Sequence, residues 1–252
     1  MQPPVKVFAK VAALLDLLAE ERDMTPAELA ERLHEPRSTV YRLLAALEEQ
    51  DYVQPGARRG SFELGLRLFS LGSTVRRRFD DERSAALPAM ERLHETTRQT
   101  VFLVVRRGLQ AVCLERIDGQ LVQVLILPVG GALPLHGGAA PRALLAHEPR
   151  ELWEEFVSSG SLERYTDRTA TSRRALFAQL ETILGQGYAV SDEDVIPGIA
   201  SIAAPIFDHD DTLRAALSIS GPRPSVLDGN FEQVRDRLLA ATREVSKRLG
   251  RQ

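Results

Sequence analysis

Apolar residues recur at helical spacing in two adjacent stretches near the amino terminus. Leu29 and Leu33 lie four residues apart, and their pattern stops before Pro36, since the residue that precedes a proline is disfavoured in a helix. A second stripe begins at once with the spacing i, i+3, i+4, i+7, formed by Val40, Leu43, Leu44 and Leu47. The two stripes predict short amphipathic helices joined by a tight turn.

The residues just before Leu29 determine where the first helix of this pair begins. Thr25 and Glu28 form the Thr-x-x-Glu capping box, and Pro26 occupies the first helical position, where its missing N–H has no consequence. An earlier apolar stripe from Val7 to Leu18 predicts another helix ahead of this pair. We therefore expect a core of three helices in this part of the chain.

The second helix of the pair leaves polar side chains pointing outward near its amino-terminal end, namely Arg37, Ser38, Thr39, Tyr41 and Arg42. In a helix-turn-helix this end of the second helix contacts base edges in the major groove, and side chains of these types reach bases or phosphates. The pattern favours a DNA-reading helix. The alternative is an ordinary helical hairpin with a solvated polar face, which the glutamates nearby leave open.

The segment after the third helix has the pattern of a β-hairpin. Asp51 lies where the chain must turn, and aspartate tolerates the left-handed conformation better than most residues. Residues 52–54 and 61–64 are typical of two short strands joined by a tip that carries Arg58 and Arg59. Such a tip in a winged helix-turn-helix contacts the DNA backbone or minor groove; otherwise it is a solvated loop with two arginines.

The rest of the chain predicts a linker helix and a mixed second domain. An apolar stripe between Leu66 and Phe79 exceeds what the small first domain can cover, so we expect a linker helix used partly for pairing. Beyond it we predict helices at 84–97, 141–147, 149–157, 172–186 and 229–249, and strands at 100–105, 110–117, 121–127, 187–190, 201–207 and 213–220. The predicted class is α+β, with domains at 1–65 and 80–252 and the linker at 66–79.

Composition limits the remaining functions. A chain of 252 residues, 44% hydrophobic and 27% charged, is typical of a two-domain globular protein. The net charge of −3 argues against binding DNA through the whole surface, although a small basic face doubled by dimerisation would suffice. The sequence contains no membrane-spanning run or secretory signal, which predicts a cytoplasmic location and no membrane partner.

The sequence also lacks the patterns of an enzyme or metal protein. Cys113 is the only cysteine, so an internal disulfide and a Cys-rich zinc site are excluded, and we expect it to be buried in a strand. The five histidines show no metal-ligand spacing, and no hydrolase, P-loop or dinucleotide motif occurs. We predict no catalytic residues, no metal and no cofactor.

Two stretches resemble the IclR family of bacterial transcriptional regulators, and the resemblance extends over nearly the whole chain. Residues Arg37 to Leu44 are similar to the family's recognition helix, and Gly187 to Asp208 are similar to the signature of its effector-binding domain. The resemblance implies a winged helix-turn-helix domain followed by a GAF-like effector-binding domain. It further implies a homodimer or dimer of dimers on a palindromic DNA operator, and a small organic or aromatic acid of a catabolic pathway as effector.

The same resemblance implies an effector pocket between the sheet and the loop before the helix that begins near Pro141. The matching positions are Gly138, Ala139, Ala140, Ser191, Ile199, Ser201, Ser218 and Ser220. The residues themselves fit this assignment, because free N–H groups at a helix start bind carboxylates, and Ser218 and Ser220 share one face of a strand. The alternative is that these are sheet and turn residues with local hydrogen bonds. His136 is a candidate neighbour of the pocket.

We therefore predict a ligand-responsive transcriptional regulator, expected to act as a repressor, rather than an enzyme. The competing hypothesis is a small-molecule-binding protein or enzyme with an accessory helical domain. In the favoured interpretation, the effector changes the relative placement of two wings in a dimer through the linker helix, and so changes the fit to operator half-sites.

Overall fold

The computed structural model describes residues 6–120, 127–160, 162–229 and 231–252. The chain divides into two compact units, Met1–Arg78 and Phe79–Gln252. Each unit has its own hydrophobic core, because the buried side chains of the first unit form a cluster separate from those of the second.

The first unit contains three helices, a two-stranded hairpin and a fourth helix. Its elements are α1 (Lys6–Glu20), α2 (Pro26–Leu33), α3 (Arg37–Glu49), β1 (Val53–Pro55), β2 (Phe62–Leu64) and α4 (Leu66–Arg76). The predicted capping box is confirmed, since Thr25 Oγ1 accepts from the Glu28 amide and Glu28 Oε2 accepts from the Thr25 amide at 2.6 Å. Asp51 has the expected left-handed conformation, with φ of 58°.

Helix α4 carries an uncovered apolar stripe. Leu66 and Phe69 are 75% and 76% exposed, Leu71 and Val75 are also exposed, and none of the described residues of α4 is buried. The α-helix ends at Arg76 and is followed by a 3₁₀ turn at Arg77–Phe79. The expected surplus of apolar surface on this helix is thus present.

The second unit is built on a six-stranded antiparallel sheet of order β5-β4-β3-β8-β7-β6. Its strands are β3 (Thr100–Arg107), β4 (Gln110–Ile117), β5 (Ala132–Pro134), β6 (Ala189–Asp192), β7 (Ile199–Phe207) and β8 (Leu213–Pro222). The helices are α5 (Asp80–Thr97), α6 (Ala139–Ala146), α7 (Arg150–Ser158), α8 (Arg173–Gln186), α9 (Arg223–Val226) and α10 (Phe231–Arg248).

Alternation along the strands divides the core of this unit into two layers. Val101, Leu103 and Val105 of β3 pack with α5 and α10 on one face of the sheet, whereas Phe102 and Val104 pack with α6, α7 and α8 on the other. Every residue of α6 is buried. Any polar side chain on α6 therefore needs a partner inside the protein.

Several predicted boundaries differ from the structure. Helix α5 begins at Asp80 rather than Ser84. Three acidic residues in its first turn stabilise this start, because they lie at the positive end of the helix dipole. Helix α6 begins at Ala139, ahead of Pro141, and β5 and α9 were not predicted because each is very short. Most of the predicted strand at 121–127 lies outside the described residues. Cys113 is buried in β4, as expected, and this burial raises the pKa of its thiol to about 12.

Candidate functional site

Helix α3 presents an unengaged polar end to solvent. Val40, Leu44 and Leu47 bury one face of the helix, while Arg37, Ser38, Tyr41 and Arg42 are exposed and Thr39 is half-buried. The guanidinium groups of the two arginines form no hydrogen bond or ion pair with any described residue. No side chain caps the first turn, and no acidic residue occupies it. This end of α3 can therefore accept a phosphate or a base edge.

The two arginines of the hairpin tip have different environments. The Arg58 amide donates to Asp23 Oδ2 at 2.9 Å, and its guanidinium donates to both Glu28 carboxylate oxygens at 3.2 Å. Arg59 is exposed and forms no hydrogen bond within the described parts of the chain. The sequence does not distinguish these neighbours, but in the structure Arg58 is bound by Asp23 and Glu28, whereas Arg59 has no hydrogen-bond partner among the described residues.

Asp23, Glu28 and Arg58 form a clamp that joins the wing to the start of α2. The hydrogen bond from the Thr25 amide, followed by those from Arg58, lowers the pKa of Glu28 to about 2. The pKa of Asp23 is lowered as well, by the Ser61 hydroxyl beside it and by the hydrogen bond from the Arg58 amide. Both carboxylates are therefore bound more strongly in the charged form than in the neutral one.

We expect the clamp to make the first unit sensitive to acid. A carboxylate with a lowered folded-state pKa stabilises the fold fully above its unfolded pKa, and this stabilisation is lost as the pH falls through the folded value. Glu28→Gln, which keeps the capping box but removes the charge, should lower the midpoint of thermal unfolding at pH 7. The gap from wild type should narrow between about pH 4.5 and pH 2.

The matched control is Glu31→Gln, on the same helix, because the Glu31 side chain has no hydrogen-bond partner among the described residues. Its unfolding midpoint should follow that of the wild type across the titration. A Glu28→Gln gap that stays constant from pH 7 to pH 2 would show that the carboxylate charge contributes nothing.

A cavity lies on the sheet of the second unit, beside the start of α6. Its walls are mainly apolar and include Phe102, Val104, Leu127, Leu133, Val195 and Ile196. All eight positions predicted for the pocket lie on its wall: Gly138, Ala139, Ala140, Ser191, Ile199, Ser201, Ser218 and Ser220. The cavity has a volume of about 60 Å³. Since one water needs about 10–15 Å³ of such space, several waters or a small organic molecule can fit.

The polar groups of the cavity come from the sheet and from the start of α6. Strand register places Ser191 of β6 opposite Ser201 of β7, and Ser201 opposite Ser220 of β8. Their hydroxyls thus form a row across three strands, with neighbouring strands about 4.8 Å apart. The amides of Ala139 and Ala140 form no hydrogen bond to a described residue, and no side chain caps this end of α6.

Two glycines, Gly137 and Gly138, precede α6 beside the cavity. Gly138 has a φ of 86°, in the left-handed region that favours glycine. A Cβ at Gly137 would lie 2.9 Å from Cε2 of Tyr165, too close for any larger residue without movement. Glycine is therefore favoured at position 138 by the backbone conformation and at position 137 by the lack of space beside Tyr165.

A buried ion pair, Arg142 with Asp194, contacts the cavity-wall residue Ser191. Arg142 of α6 is 2% exposed and donates to the Asp194 carboxylate and, at 2.7 Å, to the backbone oxygen of Val190. Asp194 is 3% exposed and also accepts a hydrogen bond from the Ser191 hydroxyl. Sequence reasoning missed this pair, although an arginine within the apolar run of α6 is a signal that a buried partner is required.

His136 does not contribute to the cavity wall. It is buried, its Nε2 lies 2.8 Å from the backbone oxygen of Glu163, and its ring stacks on Tyr165 with centroids 5.7 Å apart. Because a carbonyl only accepts, Nε2 carries the proton. The described residues contain no His, Cys, Asp and Glu group suited to a metal ion. In those same segments no helix is long and apolar enough to cross a lipid bilayer.

Comparisons with known proteins agree on both units. Residues 80–247 match the family described as "Bacterial transcriptional regulator IclR C-terminal", and residues 8–56 match the "IclR helix-turn-helix domain". The chain is 30% identical over 250 residues to the HTH-type transcriptional regulator KipR of Bacillus subtilis, covering 99% of both proteins. It is 31% identical over 225 residues to the HTH-type transcriptional repressor AllR of Salmonella typhimurium, covering 89% of this chain and 82% of that protein.

A solved structure extends the likeness to the fold. The crystal structure of an IclR homolog from Microbacterium hydrocarbonoxydans, complexed with 4-hydroxybenzoate, superposes with a TM-score of 0.80 at 27% sequence identity. The alignment covers 96% of this chain and 98% of that one.

Proposed function

The chain belongs to the IclR family of bacterial transcriptional regulators, and from that premise we propose that it is a cytoplasmic repressor that binds a palindromic operator as a homodimer or dimer of dimers and responds to a small organic acid. It is a DNA-binding regulator with a helix-turn-helix, not an enzyme.

In this proposal α3 enters the major groove. Arg37, Ser38, Thr39, Tyr41 and Arg42 contact bases or phosphates, which is supported by the unengaged and mostly exposed amino-terminal end of the helix. Arg59 contacts the backbone or minor groove from the tip of the wing. Arg58, also expected to contact DNA, has in this proposal the further role of holding the wing in position, which is supported by its hydrogen bonds to Glu28.

Pairing of two copies is supported by the uncovered apolar stripe of α4. Apolar surface of this kind is stabilised when it is buried against a second chain. A dimer also presents two copies of α3, which doubles the small basic face of a protein with a net charge of −3 and suits a site with twofold symmetry.

The effector in this proposal is an organic acid bound in the cavity. Its carboxylate accepts hydrogen bonds from the Ala139 and Ala140 amides at the start of α6 and from the serine hydroxyls of β7 and β8. Its carbon skeleton packs against Phe102 and the aliphatic walls. The relative from Microbacterium hydrocarbonoxydans, which binds 4-hydroxybenzoate, supports an aromatic acid of this size.

The observation that carries the proposal is the coincidence of uncharged hydrogen-bond donors and apolar walls in one cavity. The test is fluorescence anisotropy on DNA from upstream of the protein's own and neighbouring genes, with and without organic acids. We expect tight, salt-dependent binding to at least one DNA and release by at least one acid. Failure to bind any of these DNAs, together with turnover of an acid, would favour the enzyme alternative.

A further inference from the structure

The hydroxyl of Ser191 forms a hydrogen bond with the buried carboxylate of Asp194. Ser191 lies on the cavity wall, and its Oγ forms a hydrogen bond with Oδ1 of Asp194. The other carboxylate oxygen of Asp194 pairs with the Arg142 guanidinium. All three side chains are buried, so bulk water does not compete for these contacts.

This arrangement determines where the Ser191 proton lies. A carboxylate paired with a guanidinium carries its negative charge and only accepts hydrogen bonds. The Ser191 hydroxyl must therefore donate its single proton to Asp194. Only the lone pairs of Oγ remain for a molecule in the cavity, so Ser191 presents an acceptor and no donor.

The other serines of the cavity differ from Ser191 in this respect. Ser220 has the backbone oxygen of Ala200 at 3.4 Å, which is long for a hydroxyl hydrogen bond. The hydroxyls of Ser201 and Ser218 form no hydrogen bond to any residue that the structure describes. These groups and the amides of α6 can donate, so the cavity has donors toward α6, β7 and β8 and a fixed acceptor on β6.

We propose that Ser191, fixed as an acceptor by Asp194 and Arg142, selects organic acids that carry a hydroxyl group remote from their carboxylate. The inference rests on the proposed function, since it specifies the effector of the same cavity. Ser191 is one strand from Ser201 and two strands from Ser220. The hydroxyl group of the selected acid therefore lies about 5–10 Å from the carboxylate of that acid. An ether or methyl group there leaves the Ser191 lone pairs unsatisfied in a buried site.

Matched acids test this selectivity by isothermal titration calorimetry on the full-length protein. The probes are 4-hydroxybenzoate against 4-methoxybenzoate and 4-methylbenzoate, and 6-hydroxyhexanoate against 6-methoxyhexanoate. For at least one skeleton the hydroxy acid should bind about tenfold more tightly than its partner, as expected for one hydrogen bond in a buried site. Ser191→Ala should reduce that ratio to near one.

Ser201→Ala is the matched control, because Ser201 lies directly opposite Ser191 in the sheet and its hydroxyl has no fixed partner within the described residues. It should weaken both members of a pair and preserve their ratio. If Ser191→Ala is poorly folded, Ser191→Cys keeps the shape of the side chain with a poorer acceptor and should also lose the preference.

The outcomes separate this inference from the proposed function. A wild-type protein that binds acids but does not prefer the hydroxy members overturns the inference and leaves the organic-acid effector intact. So does a preference that survives both Ser191 variants. Failure of the wild type to bind any probe overturns the organic-acid effector and the inference together.

Discussion

Arg142→Met is expected to lower the free energy of unfolding of the second unit by about 3–5 kcal/mol. The change leaves the Asp194 carboxylate inside the protein with only the Ser191 hydroxyl and no cation. It also removes the donor to the Val190 backbone oxygen. An uncompensated buried charge costs far more than the ion pair itself contributes, because the charge then has neither water nor a counter-ion to stabilise it.

Urea denaturation measures this loss of stability. Two further variants serve as controls. Arg92→Met removes an exposed ion pair with Glu244, 2.5 Å long, and should cost less than about 1 kcal/mol. The double variant Arg142→Met with Asp194→Leu removes both buried charges and should recover much of the lost stability. A single Arg142→Met variant as stable as Arg92→Met would mean that Asp194 is not isolated from solvent.

Local patterns were sufficient to predict the helices of the first unit. The capping box at Thr25, the proline after α2 and the apolar spacing of α3 each act over a few residues, so their outcome can be inferred without tertiary structure. Alternation along β8 likewise placed Ser218 and Ser220 on one face of the sheet. The similarity of Gly187 to Asp208 to a family signature supplied the cavity positions Ser191, Ile199 and Ser201.

The details that sequence reasoning missed depend on residues far apart in the chain. Arg58 and Arg59 are adjacent and chemically identical, and only Asp23 and Glu28, some thirty residues earlier, give them different environments. Arg142 and Asp194 are 52 residues apart, and their pairing depends on how α6 lies over the sheet. The direction of the Ser191 hydroxyl follows from that pairing, so no local pattern could have predicted it.

Arg42→Ala is expected to weaken binding to the operator by about ten- to a hundredfold while leaving the thermal stability unchanged. An arginine that contacts a base edge or phosphate from a recognition helix contributes about 1–3 kcal/mol. The substitution should not affect folding, because Arg42 is exposed and its guanidinium contacts no described residue by hydrogen bond or ion pair. Fluorescence anisotropy with operator and non-operator DNA, over a range of salt concentrations, measures the change.

The pattern of loss identifies the contact. If Arg42 reads a base, affinity for the operator falls while affinity for non-operator DNA changes little; if it contacts a phosphate, both fall and the salt dependence decreases by about one ion. Arg243→Ala removes the same charge from an exposed position on α10 and should leave binding unchanged, which excludes a general effect of net charge. Normal operator binding by a folded Arg42→Ala protein would remove Arg42 from the reading surface, and α3 would then have to bind through Arg37 and its first turn.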